Sequence, residues 1–271
     1  MGYDISYHPI KESELHDWYF SLDFTKLVED DFSEVDSLIT QYSLTQADAE
    51  QYRQVLKLAV NIEPGEKFEN SHGYFAAVVQ GFFKPYYYTR GSAFSFLILE
   101  KPHFKSYTKP WQEFLSYRYE NPIYNILQLN YSSGVFIPAN KVKQLLEDYA
   151  TLPHIKAELD AFYDEGRIDV FLKALRYAAD QGDGLLEATE VIEPNPLSLN
   201  DTKCYSNLLN CDIEGALLYQ EKAKQQIAEI EKREGLPDGE ITANATYEKV
   251  QIAEPKPAQT EKKGFFKRLF G

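Results

Sequence analysis

A mainly helical α+β fold, arranged as a single globular domain, is predicted by three observations on this 271-residue chain. Amphipathic runs of helical period recur along its length, alternating stretches of strand type are few and short, and 44% of the residues are hydrophobic with 14% aromatic, enough to fill a core. The small β element is expected to be a short N-terminal strand and a hairpin near residues 126–137, and the C-terminal tail is expected to be disordered.

At the N-terminus Tyr3, Ile5 and Tyr7 alternate with Asp4 and Ser6, a strand that Pro9 is expected to stop. Gly2 and Ser6 meet the minimal myristoylation pattern, but the strand-like opening reads as folded protein. Residues 13–22 read as helix. Thr45 is placed to cap a stronger one, because Tyr52, Val55, Leu56 and Ala59 share one helical face and Pro64-Gly65 closes it. In residues 74–83 the apolar side chains surround the axis, the pattern of a buried helix, and Pro85 stops the run. Residues 86–100 are aromatic and β-branched enough for a strand, with a second buried helix fitting almost as well.

Residues 126–131 alternate before Ser132-Ser133-Gly134, and Val135-Phe136-Ile137 resumes afterwards, which gives the expected hairpin. Pro138 opens a helix carrying Val142, Leu145, Leu146 and Tyr149 on one face. Two further helices are expected at residues 155–163 and 169–180, broken by Gly182 and Gly184. Residues 185–192 fit either strand or helix, and an irregular stretch follows to Asn210. The last long helix is expected over residues 212–234, ended by Gly235 and Pro237. The organisation that follows is a helical domain at 1–235, a flexible linker at 236–261 and a terminal peptide at 262–271.

Charge and targeting narrow the function classes. The chain has 42 acidic against 28 basic residues, a net charge of −14, which argues against general nucleic-acid binding because phosphate neutralisation needs clustered Lys and Arg. The start lacks the basic and apolar regions of a secretory signal, and the apolar stretch at 93–99 is too short to span a bilayer. Two cysteines form no disulfide framework. A soluble cytoplasmic protein is the expectation.

No motif fixes an activity. Cys204 and Cys211 are separated by six residues with no His nearby, unlike the closer pairs of structural zinc sites, so two buried, reduced thiols are expected and no metal or cofactor is assigned. Gly182-Asp183-Gly184 resembles the start of a dinucleotide-binding turn, but it lacks the third glycine and follows a helix, so it reads as a loop. The five histidines are scattered. His72 and His103 flank the central apolar segments and are candidate acid–base groups, although a boundary residue with one hydrogen bond is the plainer reading. Glu187, Glu190 and Glu193 are spaced by three; on a helix Glu187 and Glu190 would share a face and raise each other's pKa as a catalytic pair. The competing reading is solvated surface.

The string Tyr86-Tyr87-Tyr88-Thr89-Arg90 is unusual. Three adjacent tyrosines cannot all point one way, so at least one is expected to be partly exposed or hydrogen-bonded, with Arg90 stacking on a ring. Tyr86, Tyr87, Tyr88 and Arg90 are therefore candidate binding residues, weighed against a plain core edge. The terminal peptide carries +4, which leaves −18 on residues 1–261. On a helix Phe265, Phe266, Leu269 and Phe270 share one arc and Lys267 with Arg268 takes the other side. A peptide docking in a partner's groove fits this pattern; folding back onto the acidic domain and weak membrane attachment are the competing readings.

The expectation is a non-enzymatic cytoplasmic protein-binding protein with an acidic domain surface, of bacterial immunity or antitoxin-like type, and a C-terminal docking peptide. The alternatives are a hydrolase-like enzyme with an acid and tyrosine cleft, and a peripheral membrane protein held by residues 262–271.

Overall fold

A computed structural model describes residues 3–60, 69–115, 125–127 and 129–244. The chain forms two compact units, Met1–Gln226 and Ile227–Gly271. It is mainly helical with a small mixed sheet.

Strand β1 (Asp4–Ile10) opens the first unit and is followed by α1 (Glu12–Leu15), which runs directly into a π-helical turn at His16–Phe20. Helices α2 (Phe24–Val28), α3 (Ser33–Gln41), α4 (Gln46–Ala59) and α5 (Glu69–Phe83) come next. The Thr45 side chain accepts from Asp48 N–H and caps α4, and Tyr52, Val55, Leu56 and Ala59 are its buried face, as the sequence predicts. Strand β2 (Tyr86–Arg90) leads into α6 (Phe94–Glu100), a 3-10 turn at Pro102–Tyr107 and α7 (Gln112–Leu115). The ambiguity over residues 86–100 thus resolves into one strand and one helix, divided at Gly91 in the left-handed region (φ +80°).

Strand β3 (Ser133–Ile137) precedes helices α8 (Ala139–Thr151), α9 (Pro153–Phe162) and α10 (Arg167–Gln181). Strands β4 (Gly184–Thr189), β5 (Ile192–Glu193), β6 (Lys203–Cys204) and β7 (Cys211–Asp212) lead to α11 (Glu214–Glu234), which runs from the first unit into the second, and to α12 (Glu240–Asn244). In the second unit the Glu231 carboxylate accepts from the N–H groups of Gly239 (2.9 Å) and Ile241 (2.8 Å), which joins the end of α11 to the start of α12.

The main sheet has the order β3-β4-β1-β2-β7, antiparallel except for the β2–β7 pair. Pro9 does not stop β1, which continues to Ile10. Pro9 lies past Tyr7, the last residue paired with β2, so on that side no ladder bond is lost to the missing N–H. The expected hairpin is not formed. Its second arm is β3, but the described residues 125–127 and 129–131 make no strand, and β3 pairs with β4 instead. Tyr131 sits at φ +57°, which breaks the alternation, and Leu127 turns into the core.

Both faces of the sheet are covered. Tyr86, Tyr88, Phe136, Leu186 and Ala188 pack into one cluster with residues of α1, the π-helical turn, α2 to α5 and α11. Ile5, Tyr7, Tyr87, Ile137 and Leu185 pack into a second with α6, α8, α9 and α10. Side chains on a strand alternate between faces, so a sheet buried on both sides takes near-continuous apolar runs. That is why the three tyrosines of β2 are all interior.

Candidate functional site

The four acid–base candidates have four separate sets of partners. His72, on α5, is buried and its Nδ1 lies 2.6 Å from the Tyr19 hydroxyl. His103 sits half-exposed in the 3-10 turn, with Nε2 2.8 Å from Glu158 Oε2 on α9. Glu187 and Glu190 are not a helical pair, because the segment is strand β4 and the bend after it.

Glu187 is fully buried and faces the N-terminus of α6. It accepts from Ser95 N–H (3.1 Å) and Ser95 Oγ–H (2.5 Å), with the N–H groups of Phe94 and Val135 also directed at it. Ala93 at the start of α6 supplies no side-chain cap, so this carboxyl from a neighbouring strand takes that role. Gly134 is required beside it, since a Cβ there would lie 1.9 Å from Glu187 Oε1. Burial raises the Glu187 pKa from 4.5 to about 7, against the lowering effect of its donors.

Glu190 is also buried, with φ +59°, and its N–H donates to Asp4 O (2.7 Å). Burial first, then the neighbouring Asp4 charge, raises its pKa to about 7. Asp4 in turn accepts from the Tyr88 hydroxyl (2.6 Å) and pairs with Arg90 (2.5 Å). These contacts tie the end of β4 to β1 and β2.

The tyrosine string therefore supplies one surface residue, Arg90, and three interior ones. Tyr86 and Tyr88 lie on one face and Tyr87 on the other. The Arg90 guanidinium stacks over the Tyr219 ring of α11 at 4.8 Å, and not over one of the three adjacent tyrosines as expected, because those rings are turned into the interior. Around this pair lies a groove of about 920 Å³ lined by Arg90, Arg167, Leu218, Tyr219, Lys222 and Gln225. Its cations are engaged: Arg167 pairs with Asp164 and donates to Arg90 O (2.7 Å), and Lys222 pairs with Glu165 (2.5 Å). Helix α11 approaches so closely that a Cβ on Gly215 would lie 1.7 Å from Tyr88 O.

The segment leading into α11 and the first turn of that helix carry uncovered apolar side chains. Ile213 and Leu217 are 62% and 47% exposed, and the preceding loop adds Leu209 at 92% with Leu208 and Tyr205. Tyr205 meets Tyr131 edge-on with ring centroids 5.8 Å apart, and Leu129 is also exposed. The sequence predicts only an irregular stretch from Pro194 to about Asn210 and does not single out this patch. Its signal is an adjacent leucine pair between asparagines, Asn207-Leu208-Leu209-Asn210, with no helical or strand period to bury it. Of the charged side chains beside it in the chain, Asp212 (2.6 Å) and Glu214 (3.0 Å) both pair with Lys173, and Lys203 pairs with Glu193.

Cys204 and Cys211 are partly buried, short of the full burial expected, and both are free thiols. Among the described residues no group of three or more His, Cys, Asp or Glu side chains is arranged to hold a metal ion, and no helix is long and apolar enough to cross a membrane. Phe265, Phe266, Lys267, Arg268, Leu269 and Phe270 lie outside the described residues. No family model matches the chain, and no curated protein or solved structure matches it.

Proposed function

We propose that this chain is a non-enzymatic, cytoplasmic protein-binding protein whose docking surface is the segment leading into α11 and the first turns of that helix. The observation that carries the reading is the concentration of Tyr205, Leu208, Leu209, Ile213 and Leu217 as exposed large apolar side chains within so short a stretch. Scattered exposed leucines are ordinary, but a contiguous apolar patch with a polar rim is the usual anatomy of a binding site. The net charge of −14 suits a basic partner, for which a toxin-neutralising role is one concrete form. The basic amphipathic peptide at residues 262–271 is a second docking point, to protein in preference to a membrane surface. The hydrolase-like alternative has less support, because Glu187 and Glu190 are engaged in holding the sheet to its neighbours.

The test is affinity capture from the native cytosol with the full chain, with Leu209→Ser/Ile213→Ser, and with a chain lacking residues 262–271. The expected result is a stoichiometric basic partner that the double variant releases while its thermal stability is unchanged. Equal recovery by the double variant, or no partner at near-native concentration, overturns the proposal.

A further inference from the structure

We propose that Cys204 and Cys211 are a reversible dithiol–disulfide pair that closes the loop carrying Leu208 and Leu209. Three geometric facts support the pairing. Cys211 is the Cα partner of Tyr86 across the β2–β7 ladder, so both side chains leave the same face of the sheet. The Cys204 thiol lies 3.2 Å from the Tyr86 hydroxyl, and Cys211 is the ladder partner of the same Tyr86, so both thiols adjoin one side chain. Both cysteines, finally, pack against the same core cluster while keeping part of their surface in solvent.

The intervening loop is held in a returning shape before any bond forms. Ser206 Oγ–H donates to Val78 O (2.7 Å), Asn210 donates to Gly81 O (2.9 Å), and the Asn207 side chain accepts from Leu209 N–H (2.9 Å) over a single 3-10 turn at Leu208–Asn210. Much of the entropy of bringing the sulfurs together is therefore already spent by the fold. Closure needs the Cys204 side chain to rotate off the Tyr86 hydroxyl and both sulfurs to reach a separation of about 2.05 Å.

The oxidant is a low-molecular-weight disulfide. The Cys204 thiolate attacks one of its sulfurs; the new S–S bond forms as the old one breaks, and one small thiolate leaves and takes up a proton. Cys211, having lost its proton to solvent, then attacks Cys204 Sγ and releases the second small thiol. The protein dithiol is oxidised by two electrons and the small disulfide is reduced by two, with both thiol protons ending on the small thiols. Cys204 is the first nucleophile because burial raises Cys211 further above the ordinary thiol range. In a reducing cytoplasm such a bond is transient and regulatory. Its consequence for partner binding, a locked loop under Leu208 and Leu209, rests on the docking surface proposed above.

The test is oxidation of the full chain by excess oxidised glutathione, followed by alkylation and intact-mass measurement. The expected product has lost about 2 Da, has neither cysteine alkylated, and returns to the dithiol on reduction. Its rate of formation climbs about tenfold per pH unit as the thiolate fraction rises. Cys204→Ser and Cys211→Ser should each stop at one glutathione adduct. A wild-type chain that stops at glutathione adducts, stays fully alkylatable or forms only intermolecular dimers overturns the pair. If the internal disulfide forms and partner capture is unchanged, the pair stands and its control of docking is what fails.

Discussion

On one face of the sheet His8 lies under α5; on the other, Glu187 lies under α6. Both side chains are fully enclosed, and burial shifts both toward their uncharged forms in different hydrogen-bonding surroundings. His8 Nδ1 lies 2.7 Å from the acceptor Gln80 Oε1, and Nε2 lies 2.8 Å from the Ser6 hydroxyl, a group able to donate or accept. That arrangement suits a neutral imidazole, and burial lowers its pKa from 6.5 to about 4. Glu187 is surrounded by donors that favour its charged form, yet burial outweighs them and raises its pKa to about 7. A buried group can thus have all its hydrogen bonds and still be shifted toward neutrality, because loss of water is the larger effect. The two faces consequently respond to pH in opposite directions.

Removing Glu187 is the largest break to make in this comparison. Glu187→Ala leaves the Ser95 N–H and hydroxyl buried with no acceptor and opens a void beside Gly134, at a cost of about 3–5 kcal/mol. His8→Ala should cost less, about 2 kcal/mol, since Gln80 keeps its bonds from Nε2 to Pro9 O and Pro85 O. Urea unfolding of both variants gives the order directly. A costlier His8→Ala would mean that α5, and not α6, depends more on its buried polar contact.

The pH dependence sharpens the contrast. Glu187 has a folded pKa above its unfolded value, so its stabilising contribution is complete below pH 4.5 and is lost as the pH rises through about 7. His8 has a folded pKa below its unfolded value, so its contribution is complete above pH 6.5 and is lost as the pH falls toward about 4. Each shift integrates to about 3 kcal/mol. In Glu187→Gln the stability difference from wild type should therefore move by about that amount in favour of the variant between mildly acidic and neutral pH. In His8→Asn it should move by a similar amount in favour of the variant as the pH falls from neutral. Glu190 adds a slope of the same sign as Glu187 and is common to both variants, so it cancels from these differences. Parallel stability–pH curves for wild type and both variants would remove the contrast between the faces.

Helical periods over α4, α8 and α10 were readable because each buries one stripe, and a stripe leaves a repeat in the sequence. The sheet was harder. Its strands are covered on both sides, so β2 and β4 read as apolar or ambiguous runs, and their partners are remote: β1 pairs with β4 from the far end of the unit. Local alternation points to a hairpin near residues 126–137, but the long-range pairing of β3 with β4 takes its place. The same burial explains the tyrosines, where the alternation of directions was legible but the second covered face was not. Glu187 drew notice through its spacing, whereas its part in capping α6 depends on a contact 92 residues apart that no local pattern encodes. The apolar patch before α11 was missed for the opposite reason: periodicity finds what is buried, and Leu208 and Leu209 are not.

The hydroxyl contacts of the two faces give the finest and smallest comparison. Tyr88 donates to the Asp4 carboxylate at 2.6 Å on one face, and on the other the Tyr7 and Tyr163 hydroxyls meet at 2.6 Å. Equal lengths conceal unequal strengths, because a bond to a charged acceptor is worth about twice a neutral one. Tyr88→Phe should cost about 2 kcal/mol, limited by the Arg90 pairing that Asp4 retains. Tyr163→Phe should cost about 1 kcal/mol or less, since Tyr7 still donates to Ser92 O (3.0 Å) and accepts from Phe94 N–H (3.1 Å). Thermal unfolding at neutral pH separates the two. Equal losses would mean that the Asp4 charge is already neutralised by Arg90, and that the Tyr88 bond acts as an ordinary neutral one.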